Sequence, residues 1–170
     1  MKTAGVDKIF FIVFGIFLLV VIMTAVLFTF SSSGKTAGVT TYSATDKDKP
    51  KINIETADFD FGQVGVEETK VKEIKIKNEG TKPLEMTNFS TSCDCTFAQV
   101  VINGQESPKF SMHGSPAWKG TLEPGKEATL KAIYEPSIMP VKGKVGRVIY
   151  FKTNDPLSSD ISIRFTAEVL

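Results

Sequence analysis

The chain has few of the residues that build metal sites and catalytic centres. Its 170 residues include two cysteines, one histidine and one tryptophan. Two cysteines exclude a disulfide-dense scaffold, and together with one histidine they cannot supply the four ligands of a zinc finger. One histidine would also have to serve any histidine-based mechanism.

The sequence also lacks an excess of charge of either sign. Twenty Lys and Arg residues stand against 19 Asp and Glu, which gives a formal net charge of +1, so no basic surface for nucleic acid is predicted. No Gly-x-Ser-x-Gly elbow, glycine-rich phosphate loop or His-Glu-x-x-His motif occurs. We therefore expect no enzymatic activity and no catalytic residue.

A long apolar run covers Ile9 to Phe30 without a charged residue. At about 1.5 Å per residue a helix of this length spans about 33 Å, enough to cross a bilayer core of about 30 Å. The run is too long and ends in residues too bulky for a cleaved signal peptide. Lys2 and Lys8 precede it, which favours a cytoplasmic N-terminus. The sequence thus predicts a single-pass protein of the cell membrane, with the bilayer contacting residues 9–30 and the C-terminal part extracytoplasmic.

The rest of the chain divides by composition. Residues 1–8 form the predicted cytoplasmic N-terminus. Residues 31–50 are rich in Ser, Thr, Gly, Lys and Asp, a composition typical of a flexible linker. Residues 51–170 then have the size of one folded domain.

Within residues 51–170 the hydrophobic period is two. Apolar residues alternate with polar ones between Ile161 and Val169, as in a half-buried strand, and residues 147–151 are apolar on both faces, as in a central strand. Turn signals such as Asn154-Asp155-Pro156 separate these strands. The pattern predicts an all-β fold, an immunoglobulin-like antiparallel β-sandwich preceded by one N-terminal transmembrane helix.

Several short motifs occur in the order seen in one known family. They are Asp60-Phe61-Gly62-Gln63-Val64, Asn78-Glu79-Gly80 with Pro83-Leu84, Ser92-Cys93-Asp94-Cys95-Thr96, Leu122-Glu123-Pro124-Gly125, Tyr134-Glu135-Pro136 and Thr153-Asn154-Asp155-Pro156.

Over residues 54–169 the chain resembles the bacterial domain-of-unknown-function family number fifteen seventy-three, which is similar to the Hydin-like immunoglobulin modules. The resemblance implies a seven-stranded sandwich, export or membrane anchoring, and no established enzymatic activity. Asp94 stands where the family usually has glycine, and the stretch from Phe97 to Gly120 is longer than the family's usual connection.

The Cys93-Asp94-Cys95 motif allows three interpretations. In an extended strand the two Cα atoms would lie about 6.5–7 Å apart, at the limit for a disulfide, so a bridge would require a tight turn. Under the first interpretation the pair is structural, either packed in the core or joined by a local bridge. Under the second it is redox-labile, and under the third it binds Cu(I) together with Met112 and His113. Copper is thus the one cofactor considered, and only under the third interpretation.

Trp118 and Met112 lie in a second candidate segment, Ser111 to Trp118. Large side chains near a loop tip can anchor a binding partner. The alternative is that Trp118 covers the open end of the sandwich core.

The sequence therefore predicts a membrane-anchored, non-catalytic binding or scaffolding module for an envelope protein or a cell-surface polymer. The alternative function is copper or thiol-redox handling by Cys93, Cys95, Met112 and His113.

Overall fold

A computed structural model describes residue 11 and residues 13–23, 38–114 and 117–170. The chain forms two compact units, Met1–Thr36 and Ala37–Leu170. In the first unit, residue 11 and residues 13–23 are helical.

The predicted localisation requires correction. Among the described residues no helix is long and apolar enough to cross a membrane. Residues 13–23 cover about 16 Å at the rise of an α-helix, about half of a bilayer core. This finding overturns the single-pass membrane location predicted from residues 9–30, with its cytoplasmic N-terminus and extracytoplasmic domain. Residues 9, 10, 12 and 24–30 of that run, like residues 1–8, lie outside the described residues.

Within residues 38–114 and 117–170, ten strands form two five-stranded sheets. The strands are β1 (Ile52–Ile54), β2 (Asp58–Val64), β3 (Lys70–Asn78), β4 (Leu84–Thr91), β5 (Thr96–Ile102), β6 (Gln105–Glu106), β7 (Lys119–Leu122), β8 (Glu127–Tyr134), β9 (Gly143–Thr153) and β10 (Asp160–Val169), with a 3-10 turn at Pro136–Ile138.

The first sheet has the strand order β1-β3-β8-β5-β6 and the second has the order β2-β10-β9-β4-β7. Neighbouring strands are antiparallel except β2, which runs parallel to β10. The all-β sandwich is thus confirmed, with one mixed sheet. The prediction of a central strand at residues 147–151 is also confirmed, because β9 lies between β10 and β4.

The alternation in β10 places one set of side chains in the core. Ile163, Phe165, Ala167 and Val169 are all buried. Phe89 stacks between Phe110 and Phe151 at centroid distances of 4.9 and 4.6 Å. A second, smaller cluster contains Cys93, Cys95, Tyr134 and Phe165.

Asn78, at the end of β3, joins the two sheets through its buried side chain. Its amide nitrogen donates to the carbonyl oxygens of Lys82, at 2.8 Å, and of Leu122 in the opposite sheet, at 2.9 Å. Its amide oxygen accepts from the backbone of Gly80 at 3.0 Å. The turn after β3 and the end of β7 therefore depend on one side chain.

The turn between β9 and β10 supplies a second bridge between the sheets. One carboxylate oxygen of Asp155 accepts from the backbone N–H of Ile52 in β1 at 3.0 Å. The amide of Asn154 accepts from the Glu85 N–H and donates to the Pro83 carbonyl, at 2.8 and 3.1 Å. The bonds to the N–H groups of Ile52 and Glu85 are buried, so water could not replace them if they were lost.

Residues 38–50, which belong to the predicted linker, hydrogen-bond to the sandwich. The N–H and hydroxyl of Thr40 donate to the Glu85 carboxylate at 2.9 and 3.1 Å, and Lys119 pairs with the same carboxylate at 3.2 Å. Burial acts to raise the pKa of Glu85, but the Thr40 and Lys119 contacts outweigh it and hold the pKa below its usual value. The domain limits at residues 31, 50 and 51 stay predictions.

Replacing Asn78 with alanine should destabilise the fold by about 3 kcal/mol, because the buried carbonyl of Leu122 and the partly buried carbonyl of Lys82 lose their donor. Urea unfolding followed by circular dichroism measures the change. Asn53→Ala is the matched control, since exposed Asn53 makes one side-chain bond, to Glu79. Equal losses in the two variants would contradict the bridging role of Asn78.

Acidification should release residues 38–42 from the sandwich. Because the pKa is lowered, ionised Glu85 stabilises the docked state, and this contribution is fully present at pH values above the usual Glu pKa of 4.5. The contribution is lost as the pH falls through the lowered pKa. The NMR resonance of the Thr40 amide should therefore titrate with a midpoint below 4.5. At neutral pH, Glu85→Gln should speed hydrogen exchange at this amide by about tenfold. Glu67→Gln, at an exposed carboxyl, should leave both readouts unchanged.

Candidate functional site

The Cys93-Asp94-Cys95 motif forms a tight turn between β4 and β5, closed by a disulfide. The two Cα atoms are 5.2 Å apart, shorter than the spacing of an extended strand, and the N–H of Thr96 donates to the Cys93 carbonyl at 3.1 Å. Cys95 is fully buried, whereas Cys93 keeps 6% of its surface exposed. The two sulfurs are thus joined to each other, as both the local bridge and the oxidised state of a redox-labile pair require.

The two sulfurs have different neighbours. The Nε–H of Arg147 donates to the Sγ of Cys95 at 3.3 Å. The Sγ of Cys93 lies 3.6 Å from the Sδ of Met139. One sulfur therefore lies against a cation, and the other lies against a thioether and the backbone N–H of Cys95, at 3.2 Å.

Arg147 reaches the disulfide because of strand register. It pairs with Phe165 across β9 and β10, and residues directly opposite each other project to the same face. Phe165 is buried in the core, so Arg147 also points inward. Within the described residues no carboxylate lies close enough to form an ion pair with its guanidinium.

Tyr134, at the end of β8, packs in the same cluster as both cysteines. Its hydroxyl is buried, and the described residues offer it no hydrogen-bond partner. Burial raises the pKa of this phenol, and the charge of Arg147 offsets part of the rise. The hydroxyl therefore stays neutral beside the disulfide at physiological pH.

An exposed apolar segment, residues 138–141, lies between β8 and β9; we call it the apolar loop. Ile138, Met139 and Val141 expose 47%, 50% and 42% of their surfaces, and Pro140 is also exposed. Backbone bonds from Ile138 to Glu135 and from Met139 to Pro136 fix the turn that carries it. The loop meets the disulfide through Met139.

Met112 and His113, the other predicted metal or redox ligands, lie outside the contacts of the sulfurs. Within the described residues, the side chains at hydrogen-bonding distance from the two sulfurs are those of Met139, Thr96 and Arg147. The Nε2 of exposed His113 lies 3.9 Å from the Oδ1 of Asp94, in the middle of the cysteine turn. Met112 is exposed to solvent.

The copper site predicted at Cys93, Cys95, Met112 and His113 is not assembled among the described residues. Cu(I) binds thiolates, and both sulfurs are joined to each other instead. Among the described residues, no group of three or more His, Cys, Asp and Glu side chains is placed to hold a metal ion.

Trp118, predicted as a binding anchor or a core cover, packs against the core. Its ring lies 5.5 Å from that of Phe89 and 5.2 Å from that of Phe110, between centroids. Gly120 leaves room for the indole, because a side chain there would collide with it. The packing favours the core-cover interpretation.

Sequence reasoning missed Arg147, Met139 and the apolar loop. The signal for the loop was present, since Ile138-Met139-Pro140-Val141 is an apolar run between two strands. The inward direction of Arg147 could be inferred once β9 was paired with β10, because its partner Phe165 lies in the alternating apolar series. Nothing in the sequence alone brings Met139 to Cys93.

A family model described as Protein of unknown function (DUF1573) matches residues 52–107. The match covers β1 to β6 and includes both cysteines, but it is less than half of the chain. The resemblance predicted over residues 54–169 is therefore confirmed over its first half. No curated protein matches the chain.

Two solved structures show the same fold. A protein of unknown function from Porphyromonas gingivalis W83 is 21% identical with a TM-score of 0.57, over 73% of this chain and 49% of that one. The ASH/PapD-like domain 7 of human CEP192 is 12% identical with a TM-score of 0.50, over 79% of this chain and 95% of that one. The chain thus spans about half the length of the Porphyromonas protein. At these identities the likeness extends to the sandwich fold alone.

Replacing Trp118 with alanine should destabilise the fold by about 3 kcal/mol, because it opens a cavity beside Phe89 and Phe110. Thermal unfolding measures the loss. Tyr150→Ala, at an exposed aromatic of β9, should cost much less. Equal losses in the two variants would contradict the core role of Trp118 and return it to the binding candidates.

Proposed function

We propose that the chain is a non-catalytic, protein-binding module that contacts its partner through the apolar loop, residues 138–141. The observation that carries the proposal is the exposure of three large apolar side chains in one short connection, Ile138, Met139 and Val141. Surface loops of folded domains are usually polar, and a run of exposed apolar residues is a cost unless it has a function.

The apolar loop is held in place before binding. Pro136 is buried and starts the 3-10 turn, and the N–H of Met139 donates to its carbonyl at 3.1 Å. Pro140 restricts the backbone further. A loop that is already ordered loses less conformational entropy when it binds, so more of the contact energy contributes to affinity.

The chemistry of the loop favours a protein partner over a polysaccharide or a nucleic acid. Aliphatic and thioether side chains gain free energy by burial against another apolar surface. A sugar polymer or a phosphate backbone would require hydrogen-bond donors and charges instead. The near-neutral charge of the chain is consistent with this choice.

We also infer that the whole sandwich, and not residues 52–107 alone, belongs to the family of unknown function. The motif residues beyond position 107 complete the same unit: Leu122 accepts a bond from Asn78, and Asp155 accepts one from Ile52. These bonds join the matched half of the domain to the unmatched half.

Photocross-linking tests the proposed interface. A benzophenone amino acid at position 138 should capture one defined protein in the cells that produce this chain, because Ile138 is an exposed residue of the apolar loop. The same group at Leu157, which is more exposed but lies in another turn, is the matched control. The captured protein is identified by mass spectrometry and purified.

Binding of that protein is then measured by calorimetry. Ile138→Ser combined with Val141→Ser should raise the Kd by at least about tenfold, since the loss of two apolar contacts exceeds 1.4 kcal/mol. The melting temperature should stay unchanged because both residues are exposed. Equal capture from positions 138 and 157, or an unchanged Kd, would rule out the loop as the interface.

A further inference from the structure

The Cys93–Cys95 disulfide lies in an asymmetric environment that no binding role requires. Cys95 is fully buried and receives a hydrogen bond from the charged guanidinium of Arg147. Cys93 keeps some exposure, receives a neutral donor, the backbone N–H of Cys95, at 3.2 Å, and contacts half-exposed Met139. A disulfide that served only to close the turn would gain nothing from a cation at one sulfur, because neither sulfur of a disulfide carries charge.

We propose that Cys93 and Cys95 form a reversible dithiol–disulfide pair whose substrates are external thiols and disulfides. Cys93 is the sulfur that exchanges with the external thiol, and Cys95 is the leaving thiolate, stabilised by Arg147. The proposal does not depend on the partner of the apolar loop.

The exchange balances with an external dithiol as the reductant. Its first thiolate attacks the Sγ of Cys93, the bond between the two cysteine sulfurs breaks, and the electron pair leaves on the Sγ of Cys95. Its second thiolate then attacks the external sulfur of the mixed disulfide and releases Cys93. Two electrons have passed to the cysteine pair, the dithiol has become a disulfide, and its two protons pass to the cysteines or to solvent.

Arg147 distinguishes the reduced state from the oxidised one. A hydrogen bond from a guanidinium to a thiolate is charge-assisted, whereas the bond to a neutral disulfide sulfur is weak. No carboxylate within the described residues pairs with Arg147, so its charge is available to the thiolate. The buried hydroxyl of Tyr134 is neutral and places no competing negative charge beside it.

Met139 controls access to Cys93. An attacking thiolate must approach the Sγ of Cys93 from the side opposite Cys95, and Cys95 itself is closed to solvent. The Sδ of Met139 lies 3.6 Å from the Sγ of Cys93 and covers part of its surface. Because Met139 lies in an exposed loop, its flexible side chain can move aside without opening the core.

Redox titration of the full chain tests the role of Arg147. The protein is equilibrated with mixtures of reduced and oxidised dithiothreitol, and free thiols are trapped by alkylation and counted by mass. Arg147→Gln should shift the equilibrium toward the disulfide by about tenfold, or about 30 mV. Arg147→Lys, which keeps the charge, should shift it less. Arg164→Gln, at an exposed arginine on the neighbouring strand, should leave it unchanged.

Single-cysteine variants test the order of events. Cys95→Ser should form a mixed disulfide with oxidised glutathione at Cys93, whereas Cys93→Ser should react about 100-fold more slowly because Cys95 is buried. Met139→Ala should speed reduction of the native disulfide several-fold with little change in its equilibrium. Ile138→Ala is the control for loop truncation.

Three results would overturn the proposal. The disulfide could resist excess dithiothreitol until circular dichroism reports unfolding, Arg147→Gln could match Arg164→Gln, or Cys95 could react faster than Cys93. If Arg147→Gln does not fold, two other measurements decide the question. They are the redox equilibrium of Arg147→Lys, compared with that of the unaltered chain, and the reduction rate of Met139→Ala. If either quantity is unchanged, the proposal is contradicted.

Discussion

The buried amide of Asn78 is the contact on which the arrangement of the two sheets depends. It binds the carbonyl of Leu122 in the opposite sheet while it also closes the turn that follows β3. Apolar packing alone does not fix which turn lies over which strand, since it is non-directional. The hydrogen bonds of Asn78 and Asp155 are directional and buried, so a shifted pairing would leave polar groups without partners. Asn78 and Asp155, two of the motif residues that suggested a family, are therefore structural.

The bridge of Asn78 lies at one end of the first sheet, and the cysteine turn lies at the other. In the register of β3, β8 and β5, Lys77 pairs with Glu127 near Asn78, whereas Tyr134 pairs with both Lys70 and Thr96 beside the cysteines. At the Asn78 end, the buried polar side chains stabilise the turns. At the cysteine end the disulfide closes the turn between β4 and β5. Arg147 and the apolar loop at this end do not stabilise a turn between strands in this way. Candidate function therefore concentrates at the cysteine end.

The sequence predicted the parts that depend on local pattern. The alternation from Ile161 to Val169 is enough to define β10, because each residue faces the core or solvent according to a period of two. The state of Cys93 and Cys95 was not predictable, since it depends on a turn that brings their Cα atoms to 5.2 Å. Arg147 was not predictable from its type, because arginine is usually exposed and the register of β9 with Phe165 turns it inward. The uncharged apolar run of residues 9–30 predicted a membrane span, which no helix among the described residues provides.

Met139 belongs to both proposed activities, so the other residues of the cysteine end are needed to tell the two activities apart. It exposes half of its surface in the apolar loop and contacts the Sγ of Cys93, so a change at Met139 alters partner contact and thiol access together. Ile138 and Val141 are exposed residues of the loop, whereas Arg147 contacts the Sγ of Cys95 from β9. A variant that loses binding without a redox change therefore shows that the loop binds the partner. A variant with a redox change and unaltered binding shows that thiol exchange belongs to the disulfide. A partner that binds over Met139 would also cover Cys93, since the thioether lies directly on that sulfur.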